Sequence, residues 1–203
     1  MASESLARTA REEEPPRLPG RPRCPIAHRA ILKTAYQLLE EVGFASMSVE
    51  GIASRAGVGK ATIYRRWPNK ASVVMDAFLA AMAPSIPFPD TGSAREDLRR
   101  QMRSLVEAMR GRHGRTIATL IGAGQADPEL AEAFRTRVVA LRRAEARQVL
   151  QRGMARGDFR SKFDPEVVLD ALYGPLYFRL LVGHAPITAA FADAVVAVVL
   201  DKL

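Results

Sequence analysis

The stretch AGVGKATIYRRWPNK, residues Ala56 to Lys70, decides how this chain is read. It sets glycines, a lysine and a threonine among two aromatics and a crowd of positive charge, a mixture suited to holding phosphates. The phosphates could belong to a bound nucleotide or to a DNA backbone. A nucleotide P-loop needs Gly, four residues, then Gly-Lys-Ser/Thr, following a strand. Gly59-Lys60 supplies part of that pattern, but Ser54 stands at the first glycine position. Ala61 replaces the hydroxyl that would hold magnesium, and the residues before the loop read as helix. A dinucleotide-binding fingerprint fails for the same lack of a strand.

The DNA backbone fits position by position. A helix-turn-helix packs two short helices steeply across a tight turn. Ser48 is a candidate N-cap, and Val49, Ile52, Ala53 and Ala56 form one apolar stripe leading into the quoted stretch. Ala53 is the small residue where the second helix crosses the first. Gly57, four positions on, accepts the positive φ such a turn requires. Ile63, six beyond that, is the inward anchor, and Ile52 and Val58 fill the seam. The second helix is predicted from about Lys60 to Trp67, stopped by Pro68. The first turn of a recognition helix meets base edges in the major groove. That assigns Gly59, Lys60, Ala61 and Thr62 to the groove, and Tyr64, Arg65 and Lys70 to phosphates. An ordinary helical hairpin with a glycine turn is the competing reading of the spacing. Hydrophobic packing competes for Tyr64 and Trp67, and Trp67 is assigned mainly to it.

The wider run SVEGIASRAGVGKATIYRRWPNKASVVMDAF, with HRAILKTAYQLLEEVGFASMS before it, resembles the DNA-binding domain of the TetR/AcrR family of bacterial transcriptional repressors. The resemblance implies a three-helix DNA-binding domain, a fourth connecting helix, and an all-helical C-terminal domain that dimerises and often holds a small-molecule pocket. It also implies that Ser48, Tyr64 and Lys70 contact phosphates, with Lys60, Ala61 and Thr62 at or near the bases. GPLYFRLLVG, near the C-terminus, resembles one branch of the family.

Charge distribution agrees with a polyanionic partner. The 203 residues carry a formal charge of +8. Ten Lys/Arg face three acids between Arg17 and Lys70, and the rest of the chain is nearly balanced. With 48% hydrophobic and 26% charged residues, a folded core is expected. A single cysteine, Cys24, rules out an internal disulfide or thiolate cluster and suits a reducing compartment. No apolar run reaches a membrane span, and the N-terminus lacks the apolar centre of a signal peptide, so a cytoplasmic protein is expected.

Residues 1–24, with four prolines and no hydrophobic period, read as a disordered arm. PGRPR, Pro19–Arg23, resembles the core of an AT-hook, which would put Arg21 and Arg23 in a minor groove; a solvated tail is the alternative. From Pro25 apolar residues recur at helical spacing until Gly43. Asn69 can cap a fourth helix, and the proline-rich APSIPFPDTGS, Ala83–Ser93, marks a boundary. The expected fold is therefore all-α: a helix-turn-helix domain with its connecting helix over 25–83, and a helical dimerisation and ligand-binding domain over 84–203.

In that second part DPEL and DPEV each offer an Asp cap, Asp127 and Asp164, with proline in the first turn. Pro175 predicts a kink, and the helix from Thr188 to Leu203 is apolar on nearly all sides, so something must bury it. These two helices are the expected dimer interface, a four-helix bundle across a twofold axis. Phe78, Met82, Met102, Leu105, Met109, Ile117, Phe134 and Tyr173 are candidate pocket residues, with plain core as the alternative. The arginines Arg135, Arg137, Arg142, Arg143 and Arg147 read as a solvated face. His28, His113 and His184 are too scattered for a metal, and no spacing suggests a catalytic set, so neither enzyme nor cofactor is expected. The expected function is a homodimeric, DNA-binding regulator of a palindromic operator, a repressor released by a small-molecule effector. A helical ligand-binding or adaptor protein without a DNA-regulated role is the alternative.

Overall fold

The computed structural model describes residues 25–159, 162–201 and 203. Arg21, Arg23 and the expected arm over 1–24 lie outside the described residues. Ten α-helices and no strand are found among the described residues. The first four are α1 (Pro25–Ser46), α2 (Val49–Ala56), α3 (Lys60–Tyr64) and α4 (Lys70–Met82). After a short 3₁₀ turn (Ala83–Ser85) come α5 (Ala94–Arg110), α6 (Arg112–Gly124) and α7 (Pro128–Ala133). A π-turn (Phe134–Val139) joins α7 to α8 (Ala140–Arg156), and α9 (Pro165–Val182) and α10 (Ala189–Leu200) complete the chain.

Local chemistry sets most of these boundaries. Ser48, Asn69, Asp127, Asp164 and Thr188 each cap a helix by accepting a main-chain N–H near its start. Gly57 ends α2 in the left-handed region at φ 67°, which a β-carbon would strain. Gly43 breaks the helical geometry at φ 75°, although one further turn of helix follows it to Ser46. One expectation is revised. α3 stops at Tyr64, because the amides of Arg66 and Trp67 fold back onto the Ile63 carbonyl. Pro175 lies inside α9, whose helical assignment continues on both sides of it. The helix capped by Asp127 continues to Arg156 with a π segment inside it.

α4 carries Val73, Val74, Met75, Ala77 and Phe78, buried on several sides, so it packs in two directions at once. One side meets α1; another meets α7 and the π-turn. The buried apolar cluster is therefore continuous from Ile31 in α1 to Leu200 in α10.

Candidate nucleic-acid interface and effector cavity

The helix-turn-helix is held from beneath. Ile52, Ala53 and Ile63 are buried in its seam, and Trp67 anchors the end of α3 under the surface. The chain turns through Gly57, whose amide bonds back to Ser54, while the Val58 amide reaches the Ala53 carbonyl. Because Ile63 and Trp67 point inward, the start of α3 points outward. Gly59, Lys60, Ala61, Tyr64 and Arg65 are exposed, and Thr62 is half-exposed. Tyr64 is an exposed aromatic, at 49%, beside an exposed arginine. Hydrophobic packing does not account for it.

Two of the expected DNA contacts are already engaged. Lys60 Nζ pairs with Glu50 Oε1 at 3.1 Å on the open surface. The Glu50 carboxyl is held below its ordinary range, first by its own main-chain amide and then by Lys60. An ion pair this exposed is weak, so a phosphate can compete for the lysine. Lys70 also has partners within the fold. Its Nζ donates to the carbonyls of Phe44 at 2.8 Å and Met47 at 3.1 Å, and lies 4.2 Å from the centre of the Phe44 ring. Lys70 thus ties α4 to the end of α1 and the residue that follows it, leaving one ammonium proton uncommitted. Ser48 is exposed, with its hydroxyl accepting from the Gly51 amide at 3.0 Å.

A chain of polar contacts runs inward from α3. Trp67 Nε1 donates to Asp76 Oδ2 at 2.7 Å, and Arg137 Nη1 donates to both Asp76 oxygens at 2.8 and 2.9 Å. The His28 ring of α1 stacks on Trp67 with centroids 5.3 Å apart. Arg137 belongs to the π-turn, so Asp76 joins the end of the recognition helix to the second half of the molecule. A second joint is formed by Tyr36 of α1 and His113 of α6, whose hydroxyl and Nδ1 lie 2.8 Å apart. Burial, aided by Glu40, pushes the Tyr36 phenol up to about 12, so it remains protonated.

On the far side of the π-turn lies a cavity of about 490 Å³. Of the candidate pocket residues, Met82, Leu105, Phe134 and Tyr173 line it. Phe78, Met102, Met109 and Ile117 do not; they are buried in the core. Sequence reasoning missed Ile86 and Phe88, which sit in the proline-rich connection, and Gln101 and Tyr177, which carry polar groups to the wall. Of the arginines taken as a solvated face, Arg135 is largely exposed and the other four have further partners or a place in the wall. Arg142 and Arg143 line the cavity, Arg137 holds Asp76, and Arg147 pairs with Glu166. No periodicity signals these pairings, because each partner is distant in sequence. Among the described residues no cluster of three His, Cys, Asp or Glu could hold a metal, and no helix is long and apolar enough to cross a membrane.

Fold and site together define a helix-turn-helix DNA-binding transcriptional regulator. Comparison with known proteins supplies the family. Residues 31–76 match the model of bacterial regulatory proteins of the tetR family, and residues 88–199 match the tetracyclin repressor-like C-terminal domain. The chain belongs to the TetR family. The uncharacterized HTH-type transcriptional regulator YdeS of Bacillus subtilis is 47% identical over 163 residues, covering 80% of this chain and 82% of that relative. The DNA-binding transcriptional repressor TetR of Mycobacteroides abscessus is 31% identical over 170 residues, 82% of this chain and 88% of the relative. The crystal structure of the TetR family transcription regulator SCO0332 aligns with a TM-score of 0.77 at 36% identity, over 87% of this chain and 98% of that one. These relatives are transcriptional regulators, and TetR-family regulators bind DNA, usually as dimers.

Proposed function

We propose that the protein is a non-enzymatic, cytoplasmic repressor that binds a palindromic operator as a homodimer and leaves it when a small molecule fills the cavity. The observation that carries the reading is the outward-facing start of α3, where Gly59, Lys60, Ala61 and Thr62 face away from the core that Ile63 and Trp67 enter. In this reading those four residues meet base edges, while Ser48, Tyr64, Arg65 and the remaining proton of Lys70 meet phosphates. Arg21 and Arg23 would add minor-groove contacts. Residues 25–83 would form the DNA-binding unit, and 84–203 the dimerisation and effector unit.

An apolar stripe supports the dimer. Val167, Ala171, Gly174, Phe178, Leu181 and Val182 are all exposed and follow one face of α9, with Val198 exposed on the neighbouring α10. Water contact with so much continuous apolar surface is unfavourable, and a twofold copy would remove it. Two recognition helices would then lie about one DNA turn, roughly 34 Å, apart.

The π-turn supports effector control. Phe134 and Val138 form cavity wall, and Arg137 of the same turn holds Asp76 and, through it, Trp67. A molecule that pushes the wall would move Arg137 and, through the Asp76 it grips, shift the end of α3. Effector and operator would weaken each other by the same factor.

The test is selection of bound sequences from random DNA, followed by anisotropy titrations at several salt concentrations. An enriched inverted repeat is expected. Arg65→Ala should weaken binding to all sequences and flatten the log–log salt slope by about one. Failure to enrich any sequence would favour a helical ligand-binding or adaptor protein.

A further inference from the structure

The cavity wall specifies the chemistry of its occupant. Most of the lining is aliphatic or aromatic, which calls for an apolar body. Polar groups on the wall fall into two sets. The first is cationic but already paired. Arg143 is held by Glu166 at 2.6 Å and Asp170 at 2.5 Å. Arg142 is held by Glu145 at 2.7 Å, donates to the Ile86 carbonyl and lies over the Phe88 ring. Arg135 pairs with Glu132 at 2.6 Å in an exposed position. A ligand carboxylate would have to share a guanidinium with a protein carboxylate already on it, against the repulsion of that carboxylate, and would lose its own hydration in doing so.

The second set is neutral and uncommitted. Gln101 is 2% exposed and uses its carbonyl oxygen to accept from the Tyr173 hydroxyl at 2.8 Å. Among the described residues its amide nitrogen has no partner. The Tyr177 hydroxyl, also on the wall, has none either. Burial pushes the Tyr177 and Tyr173 phenols up from their ordinary value, so both keep their protons at neutral pH. Neither the Gln101 amide nitrogen nor the Tyr177 hydroxyl is among the buried polar atoms left without a partner, so both are open to the cavity they line, and an occupant that supplies an acceptor gains a hydrogen bond there. The three guanidinium groups of the wall are matched by the carboxylates of Glu132, Glu145, Glu166 and Asp170, so the wall carries no unbalanced positive charge to demand an anion.

We infer that the cavity takes an uncharged, predominantly apolar molecule bearing a carbonyl-type acceptor, which receives hydrogen bonds from Tyr177 and Gln101, rather than an anionic amphiphile. The inference rests on the effector reading only for the cavity's biological role; the ligand class can be tested without DNA.

Isothermal titration of the full chain with tridecan-2-one and with dodecanoate, two probes of equal heavy-atom number, separates the classes. The ketone should bind at least about tenfold more tightly than the carboxylate at neutral pH, a difference of about 1.4 kcal/mol. Tyr177→Phe removes a hydroxyl with no partner among the described residues, so its thermal midpoint should stay near that of the parent. It should weaken the ketone about fivefold or more and leave dodecanoate unchanged. Equal or tighter binding of dodecanoate, indifference of the ketone to Tyr177→Phe, or binding of neither probe would overturn the inference. Ketone binding that leaves a selected operator complex intact would instead refute effector control and spare the ligand class.

Discussion

Asp76→Ala tests the joint between the recognition helix and the rest of the molecule. The substitution removes the acceptor of Trp67 Nε1 and the carboxylate that Arg137 grips. Trp67 is 2% exposed, so its N–H cannot turn to water. Leaving such a donor unsatisfied costs about 1–3 kcal/mol. The Asp76–Arg137 pair is smaller, because both side chains are about one-third exposed and solvent screens them. About 0.5–1 kcal/mol is reasonable for it. The sum is about 2–4 kcal/mol, and for a chain of this length each kcal/mol moves the melting midpoint by about 2–4 °C. A fall of about 8 °C is therefore expected by circular dichroism. Trp67 is the single tryptophan of the chain, so its emission reports the same site without interference from another indole. Arg137→Ala should cost only the smaller share and leave the indole bond in place. Operator affinity should follow the same order, falling more for Asp76→Ala because the end of α3 loses its anchor. If the two variants melt together, or if Trp67 emission is unchanged in Asp76→Ala, the joint does not hold the recognition helix.

Three further outcomes follow from the geometry. Phe178→Glu places a charge in the centre of the exposed α9 stripe and should weaken the dimer by about 3 kcal/mol, roughly a hundredfold in Kd; sedimentation velocity should show a monomer that no longer retains operator DNA. Gly57→Ala puts a β-carbon at a left-handed turn and should cost about 1–2 kcal/mol in a urea titration, although no neighbouring atom blocks the space. The carboxyls of Glu96, Glu166 and Asp193 are each held below their ordinary range, chiefly by hydrogen bonds from Arg100, Arg143 and Arg103 respectively. Groups depressed in the folded state stabilise it above their unfolded values near 4 and lose that contribution as pH falls through the folded ones. Thermal midpoints should therefore drop below about pH 4, and less steeply in Glu166→Gln; an unchanged acid profile would show that these surface pairs contribute nothing.

Much of the DNA-facing half was legible in the chain because its determinants are local. Ser48 and Asn69 cap the helices that begin one residue later, Gly57 makes the turn four residues after Ala53, and Ile63 anchors α3 within a few residues of both. A cap, a turn and a hydrophobic period each act over a handful of positions, so a linear reading captures them. The same reading assigned Lys70 to a phosphate; what it did not signal is that the ammonium also reaches the Phe44 and Met47 carbonyls, beyond the bend at Gly43.

Helix content, the all-α class, the helix-turn-helix and its cationic outer surface were determined by the sequence alone, since each depends on propensity, capping or residue spacing within one or two turns. Tertiary structure decided which hydrophobic residues became wall and which became core, sending Tyr173 to the cavity and Met102 to the interior although both carry the same helical signal. It also decided the Trp67–Asp76–Arg137 connection and the pairing of Arg143 with Glu166, because a hydrogen bond or ion pair depends on where separate helices come to rest. That placement follows from the packing of the whole core, to which each residue contributes only a part.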